Sequence, residues 1–130
     1  MNIELKEIDK DTLKVGDLVG IAREVSFGWG LSFRHKMIYP AQITRITPKR
    51  TKFFTDKFGE HDKREIFYEC DVDAGSENYL AKSFKCLSDG IYELSELKRK
   101  DCIGRISDED LLEAADHMKA IMEIIEKYKE

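Results

Sequence analysis

"AQITRITPKRTKFFT", residues 41–55, decides how this chain folds. In an extended strand Ala41 and Ile43 share a face while Ile46 falls on the other, which a period of two cannot reconcile with one buried side. A bulge or sharp bend near Arg45 reconciles them. Pro48 cannot donate to a ladder, so a strand from about Ala41 to Thr47 ends there and "KRTKFFTD" begins the next. Lys49 and Arg50 then fall at an exposed connection, and Lys52 projects opposite to Phe53.

Upstream, "LKVGDLVGIAREV" places a Gly16-Asp17 turn signal before a run rich in Val and Ile, which predicts a strand over residues 17–25. "SFGWGLSFRHK" keeps no period and reads as a long loop or a loose hairpin tip. Pro40 belongs at an edge, at a strand's start or at a bulge. Downstream, Gly59 in "KFGEHDK" marks a turn. "REIFYECDV" alternates, with Ile66, Tyr68, Cys70 and Val72 on one face. Four short antiparallel strands, one of them bent, suit a small barrel, because closure removes exposed edges.

The order "KVGDLV", a long loop, "AQITRITPKRTKFFT", a glycine turn and "REIFY" resembles the Src-homology-3-like small barrels of uncharacterised phage and prophage proteins, over about residues 13–72. That resemblance implies a small antiparallel barrel and a phage or mobile-element origin. It assigns no activity.

The remainder, residues 76–130, predicts two or three helices, so the fold class expected is α+β in a single domain of 1–130. Ser76 is the expected N-cap of a helix carrying Leu80, Phe84 and Leu87. Asp89-Gly90 is a hairpin signal, yet Ile91, Leu94 and Leu97 sit three apart, and the longer periodicity favours a short helix. The last element is a long amphipathic helix over about Asp108 to Lys129, with Ser107 as N-cap and acids in the first turn, where the helix dipole favours them. Its apolar stripe runs Leu111, Ala115, Met118, Met122, Ile125. The expected role of that stripe is packing on the barrel or the preceding helix, and its 4-3 spacing also allows weak homodimerisation.

A chain of 130 residues with 37% charged side chains is a globular domain with a densely charged surface. No apolar run approaches the ~20 residues of a membrane span, which makes the cytoplasm, that of the host cell if phage-encoded, the expected location. The net charge of -4 conceals a division: residues 34–67 hold 9 basic and 4 acidic groups, residues 68–130 hold 9 and 16. A basic block inside an acidic chain steers an anionic partner or docks on the protein's own acids.

Catalytic signatures such as G-x-S-x-G, H-E-x-x-H or a phosphate-binding G-x-x-x-x-G-K-[ST] are missing from the sequence, so no catalytic, cofactor or metal residues are assigned. Cys70, Cys86 and Cys102 form no C-x-x-C pair and read as reduced, partly buried thiols. His35, His61 and His117 stand in polar settings and read as surface histidines. Trp29, in "FGWG", is either plugged into the core, the favoured expectation because a wet indole is costly, or held out as an anchor. Held out, it joins Phe27, Phe33 and Arg34 in an aromatic, basic platform, to which Arg45, Lys49 and Arg50 add only if the fold brings them together.

The expected function is a non-enzymatic binding module that engages a host or phage protein or nucleoprotein as inhibitor or adaptor. The alternative is a nucleic-acid-binding protein that uses the basic strands on DNA or RNA. An enzyme without a recognisable motif stands third.

Overall fold

The computed structural model describes residues 2–99 and 103–129. The fold is α+β, and the chain divides into two compact units, residues 1–88 and 89–130.

The first unit is built around one long strand. Among the described residues seven strands precede the first α-helix: β1 (Leu18–Arg23), β2 (Ser26–Gly28), β3 (Leu31–Ser32), β4 (Met37–Ile46), β5 (Lys52–Thr55), β6 (Gly59–Asp62) and β7 (Phe67–Tyr68). Five form an antiparallel sheet in the order β6-β5-β4-β1-β7, and β2 and β3 make a separate ribbon. The first half of β4 pairs with β1, from Met37 opposite Arg23 to Gln42 opposite Leu18. Its second half pairs with β5, and the register slips between Ile43 and Arg45, leaving Thr44 as the extra residue. This bulge is the bend that the clash of Ala41 and Ile43 with Ile46 demands. It turns the sheet around a core of Leu13, Val19, Ile21, Ala41, Ile43, Phe53 and Phe67.

The sheet is open where a closed barrel was expected. Among the described residues no ladder joins β6 to β7. β7 is only two residues long, and its outer edge is taken by the N-terminal segment: Glu7 bridges Tyr68, and the Ile8 amide donates to the Phe67 carbonyl at 2.7 Å. Side chains fill the gap, with the His61 ring edge-on to Phe67 at 5.4 Å between centroids.

Several expected boundaries shift. Of the two readings of "SFGWGLS", a long loop or a hairpin tip, the structure takes the second, with β2 and β3 paired antiparallel. In "REIFYECDV" the buried residue is Phe67, at 0% exposure, whereas Ile66 is exposed and Val72 already begins a helix. That helix, α1 (Val72–Arg99), is single and continuous. Asp71 rather than Ser76 caps it, its Oδ1 accepting from the Ala74 amide at 2.9 Å. The helix runs straight through Asp89-Gly90, so the hairpin signal there is not used.

His35 and His61 are not surface residues. His35 is half-buried against Glu77. His61 is buried because it lies opposite Phe53 in the β5–β6 ladder and so faces inward. Its Nε2 lies 2.9 Å from the Thr55 hydroxyl, and Nδ1 lies 3.5 Å from Glu65. Burial, aided by the Arg23 charge and opposed by Glu65, lowers its pKa below the usual 6.5. The unfolded chain therefore takes up the proton first. The stabilisation is present above pH 6.5 and is lost as pH falls below it toward the folded-state pKa. Urea unfolding between neutral pH and about pH 5 is expected to show falling stability that His61→Gln flattens. An unchanged slope in the variant would contradict this.

The second unit comprises the end of α1, a short 3-10 turn (Ile103–Arg105) and α2 (Asp108–Glu126). Ser107 caps α2 as expected, accepting from the Asp110 amide at 3.2 Å, but the helix ends before Lys129. None of the described residues in 89–129 is buried. No helix of the described residues is long and apolar enough to cross a membrane.

Candidate functional site

The β2–β3 ribbon presents the most exposed aromatic residue of the chain. Trp29 and Gly30 connect the two strands, and Gly30 adopts a φ of +70°, a left-handed turn position that glycine takes without strain. Trp29 is fully exposed, at 101% of its reference area, which overturns the expectation that it plugs the core. The ribbon is instead anchored by its other aromatics. Phe33 stacks on Phe84 of α1 at 4.0 Å with ring planes 8° apart, and Phe27 meets the same ring edge-on at 5.4 Å. Phe84 is thus met by Phe27 of β2 and by Phe33, the residue that follows β3.

Hydrogen bonds stiffen this base. The Phe33 amide donates to the Val25 carbonyl at 2.8 Å, and the Ser32 hydroxyl donates to Glu24 at 2.9 Å. Val25, Met37 and Ala81 form a second buried cluster beneath Phe33 and Phe84. Arg34 lies over the Phe33 ring, 4.9 Å from its centroid, a cation–π distance. The result is a braced tip bearing Trp29 and a half-exposed Leu31, with Phe27 and Arg34 at its flank.

Of the residues singled out in the sequence, Phe27, Trp29, Phe33 and Arg34 gather at this ribbon. Arg45, Lys49 and Arg50 do not join them. Arg45 is eight positions along β4 from Met37, roughly 25 Å at strand rise, and lies over Phe54 at 5.0 Å. Lys49 is exposed in the β4–β5 connection. Arg50 serves the fold, because its Nη2 donates to the carbonyls of Lys10 at 2.5 Å and Leu13 at 2.8 Å and so ties the N-terminal segment to the turn. Its own backbone is left-handed, at φ +55°. Elsewhere in the basic block, Lys52 pairs with Glu60 at 3.2 Å and Arg64 with Asp62 at 3.0 Å.

Cys70 and Cys86 are free and exposed rather than partly buried, and Cys102 lies outside the described residues. A shallow groove of about 220 Å³ runs beside Cys70, lined by Ile38, Pro40, Ala74 and Asn78. What sequence reasoning missed is Phe84 as the brace. Its helical spacing marked it as core, but only the fold reveals that its partners are Phe27 and Phe33.

Fold and site together define a small α+β protein with an open, bulged antiparallel sheet and a braced hairpin that exposes a tryptophan. Comparison with family models, curated proteins and solved structures gives no match.

Proposed function

We propose that this chain is a non-enzymatic binding module that engages a protein or nucleoprotein partner, as inhibitor or adaptor, through the Trp29 hairpin. The observation that supports this reading is the pairing of a fully exposed indole with a rigid base. Tryptophan is enriched at interface hot spots, and a tip already ordered by the Phe27–Phe84–Phe33 stack loses little entropy on docking. The bent sheet is compatible with the resemblance to Src-homology-3-like phage proteins, and an origin in a phage or mobile element belongs to the same proposal.

Trp29 is the single tryptophan in the chain, so it is also the probe. Its fluorescence is expected to be fully open to a soluble quencher in the free protein and shielded once a partner captured from bacterial lysate is purified and added. Trp29→Ala is expected to weaken that capture by about 30-fold, the scale of a 2 kcal/mol hot spot. Capture indifferent to Trp29→Ala defeats the reading. If instead DNA or RNA shifts the chain at low salt in a manner dependent on Arg45 and Lys49, the nucleic-acid alternative replaces it.

A further inference from the structure

We infer that the Trp29 tip of one copy of this chain docks in the groove beside Cys70 of a second copy. That groove is lined by Ile38 and Pro40 of β4, by Cys70 and Asp71, and by Ala74 and Gly75 of α1. At about 220 Å³ it is smaller than the ~300–1,000 Å³ of pockets that enclose a drug-sized ligand, so its size suits one large side chain. Ile38, Pro40 and Ala74 give it apolar walls, and Asp71 gives it an acceptor. Asp71 Oδ1 takes the Ala74 amide at 2.9 Å, whereas Oδ2 lies 3.8 Å from Lys6 Nζ, beyond hydrogen-bond reach. Oδ2 is therefore able to accept from an incoming donor.

The chain itself carries the complement. Trp29 is a large apolar side chain on a protruding turn, fully exposed, with an indole N–H to donate. The charges match as well: residues 25–36 carry Arg34 and Lys36 with no acid, whereas residues 69–73 carry Glu69, Asp71 and Asp73 with no Lys or Arg. Trp29 does not occupy the groove of its own chain, since it is exposed throughout. Its ribbon is braced on Phe84, six to ten residues along α1 from Asn78 and Ala74, or roughly 9–15 Å at helical rise, which holds the tip off. A second copy has no such restraint, and reciprocal docking of two tips in two grooves closes a two-fold pair. One buried indole covers about 150–250 Å², so two fall well short of the ~1,200 Å² of a stable interface. The pair is consequently weak. Pairing of this kind goes beyond the partner reading above and is compatible with it, because a weakly held tip is free at low concentration and yields to a tighter partner.

Quenching of Trp29 fluorescence by acrylamide, read across protein concentration on the full chain, is the test. Shielding of the indole is expected to rise with concentration, in step with a reversible dimer in sedimentation equilibrium. A Cβ built at Gly75 meets no atom within 4 Å, so Gly75→Leu fills the groove without a clash, and loss of a helical glycine favours α1. That variant is expected to weaken the pair by more than about tenfold and to leave Trp29 open at every concentration. Its urea midpoint should not fall, which separates a blocked groove from a damaged fold. Gly75→Ala is the control, because it makes the same change to the helix and leaves the groove open; it is expected to pair like the native chain. Trp29→Ala is expected to sediment as a monomer. Shielding that does not change up to millimolar concentration, or pairing by Gly75→Leu equal to that of the native chain, overturns the proposal. Gly75→Leu keeps the tip intact and so is expected to retain capture of a partner from lysate. Loss of self-pairing alone therefore leaves the partner reading standing, and loss of Trp29-dependent capture alone leaves the pair.

Discussion

Phe67→Ala is expected to lower the unfolding free energy by about 3–5 kcal/mol, a large share of what a small domain holds. The ring is fully buried and meets two others edge-on, Phe53 at 5.7 Å and His61 at 5.4 Å between centroids. It stands at the opening of the sheet, where among the described residues no backbone ladder joins β6 to β7, so the ring does what strand pairing does elsewhere. The backbone around it is held from both sides, by Ile21 of β1 opposite it and by Ile8, and the hole left by alanine has little freedom to collapse. Urea unfolding gives the measurement. Ile66→Ala, on the exposed neighbour, is expected to change stability by no more than about 0.5 kcal/mol. Equal costs for the two variants would show that β7 is not the closing element.

That contrast also shows how far the sequence could be read. "REIFYECDV" has apolar residues on both faces of the alternation, so its period cannot say which face is buried. The answer depends on Phe53 and His61, which arrive from other strands. The bulge at Thr44 was legible because the conflict lay within one strand, and Ser107 was legible because a cap is local. At Asp89-Gly90 the periodicity of Ile91, Leu94 and Leu97 rightly outweighs the two-residue turn signal, although the helix there continues the preceding one and is not a separate short one. In the candidate site, the glycines around Trp29 marked an unusual turn but not its direction. Direction followed from Phe84, more than fifty residues away in the chain. Arg50 looked like part of a basic patch because the Lys10 and Leu13 carbonyls that hold it are also distant in sequence.

Glu77→Ala is expected to cost about 2–3 kcal/mol, because a buried carboxylate that binds two partners is removed at once. Glu77 is 6% exposed; its Oε1 accepts from the Lys36 amide at 2.7 Å and its Oε2 lies 2.8 Å from His35 Nδ1. One residue on, Asn78 Oδ1 accepts from the Ile38 amide at 3.2 Å. The next position of that edge, Pro40, has no amide hydrogen to satisfy. The half of β4 that β5 does not reach is therefore sealed by α1 side chains and a proline, which denies the edge to another strand. Glu77→Ala is expected both to destabilise the fold and to promote edge association, read by urea unfolding and light scattering. Glu77→Gln keeps an acceptor for the Lys36 amide and is expected to cost less than alanine. The effect reaches the hairpin as well, since the His35 ring lies against Phe33 at 5.5 Å and Phe33 stacks on Phe84 beneath Trp29. Loosening the latch loosens the brace, so Glu77→Ala should also weaken partner capture while Trp29 itself is untouched. A variant that loses less than about 0.5 kcal/mol and stays monodisperse would show that the edge is protected by something other than Glu77.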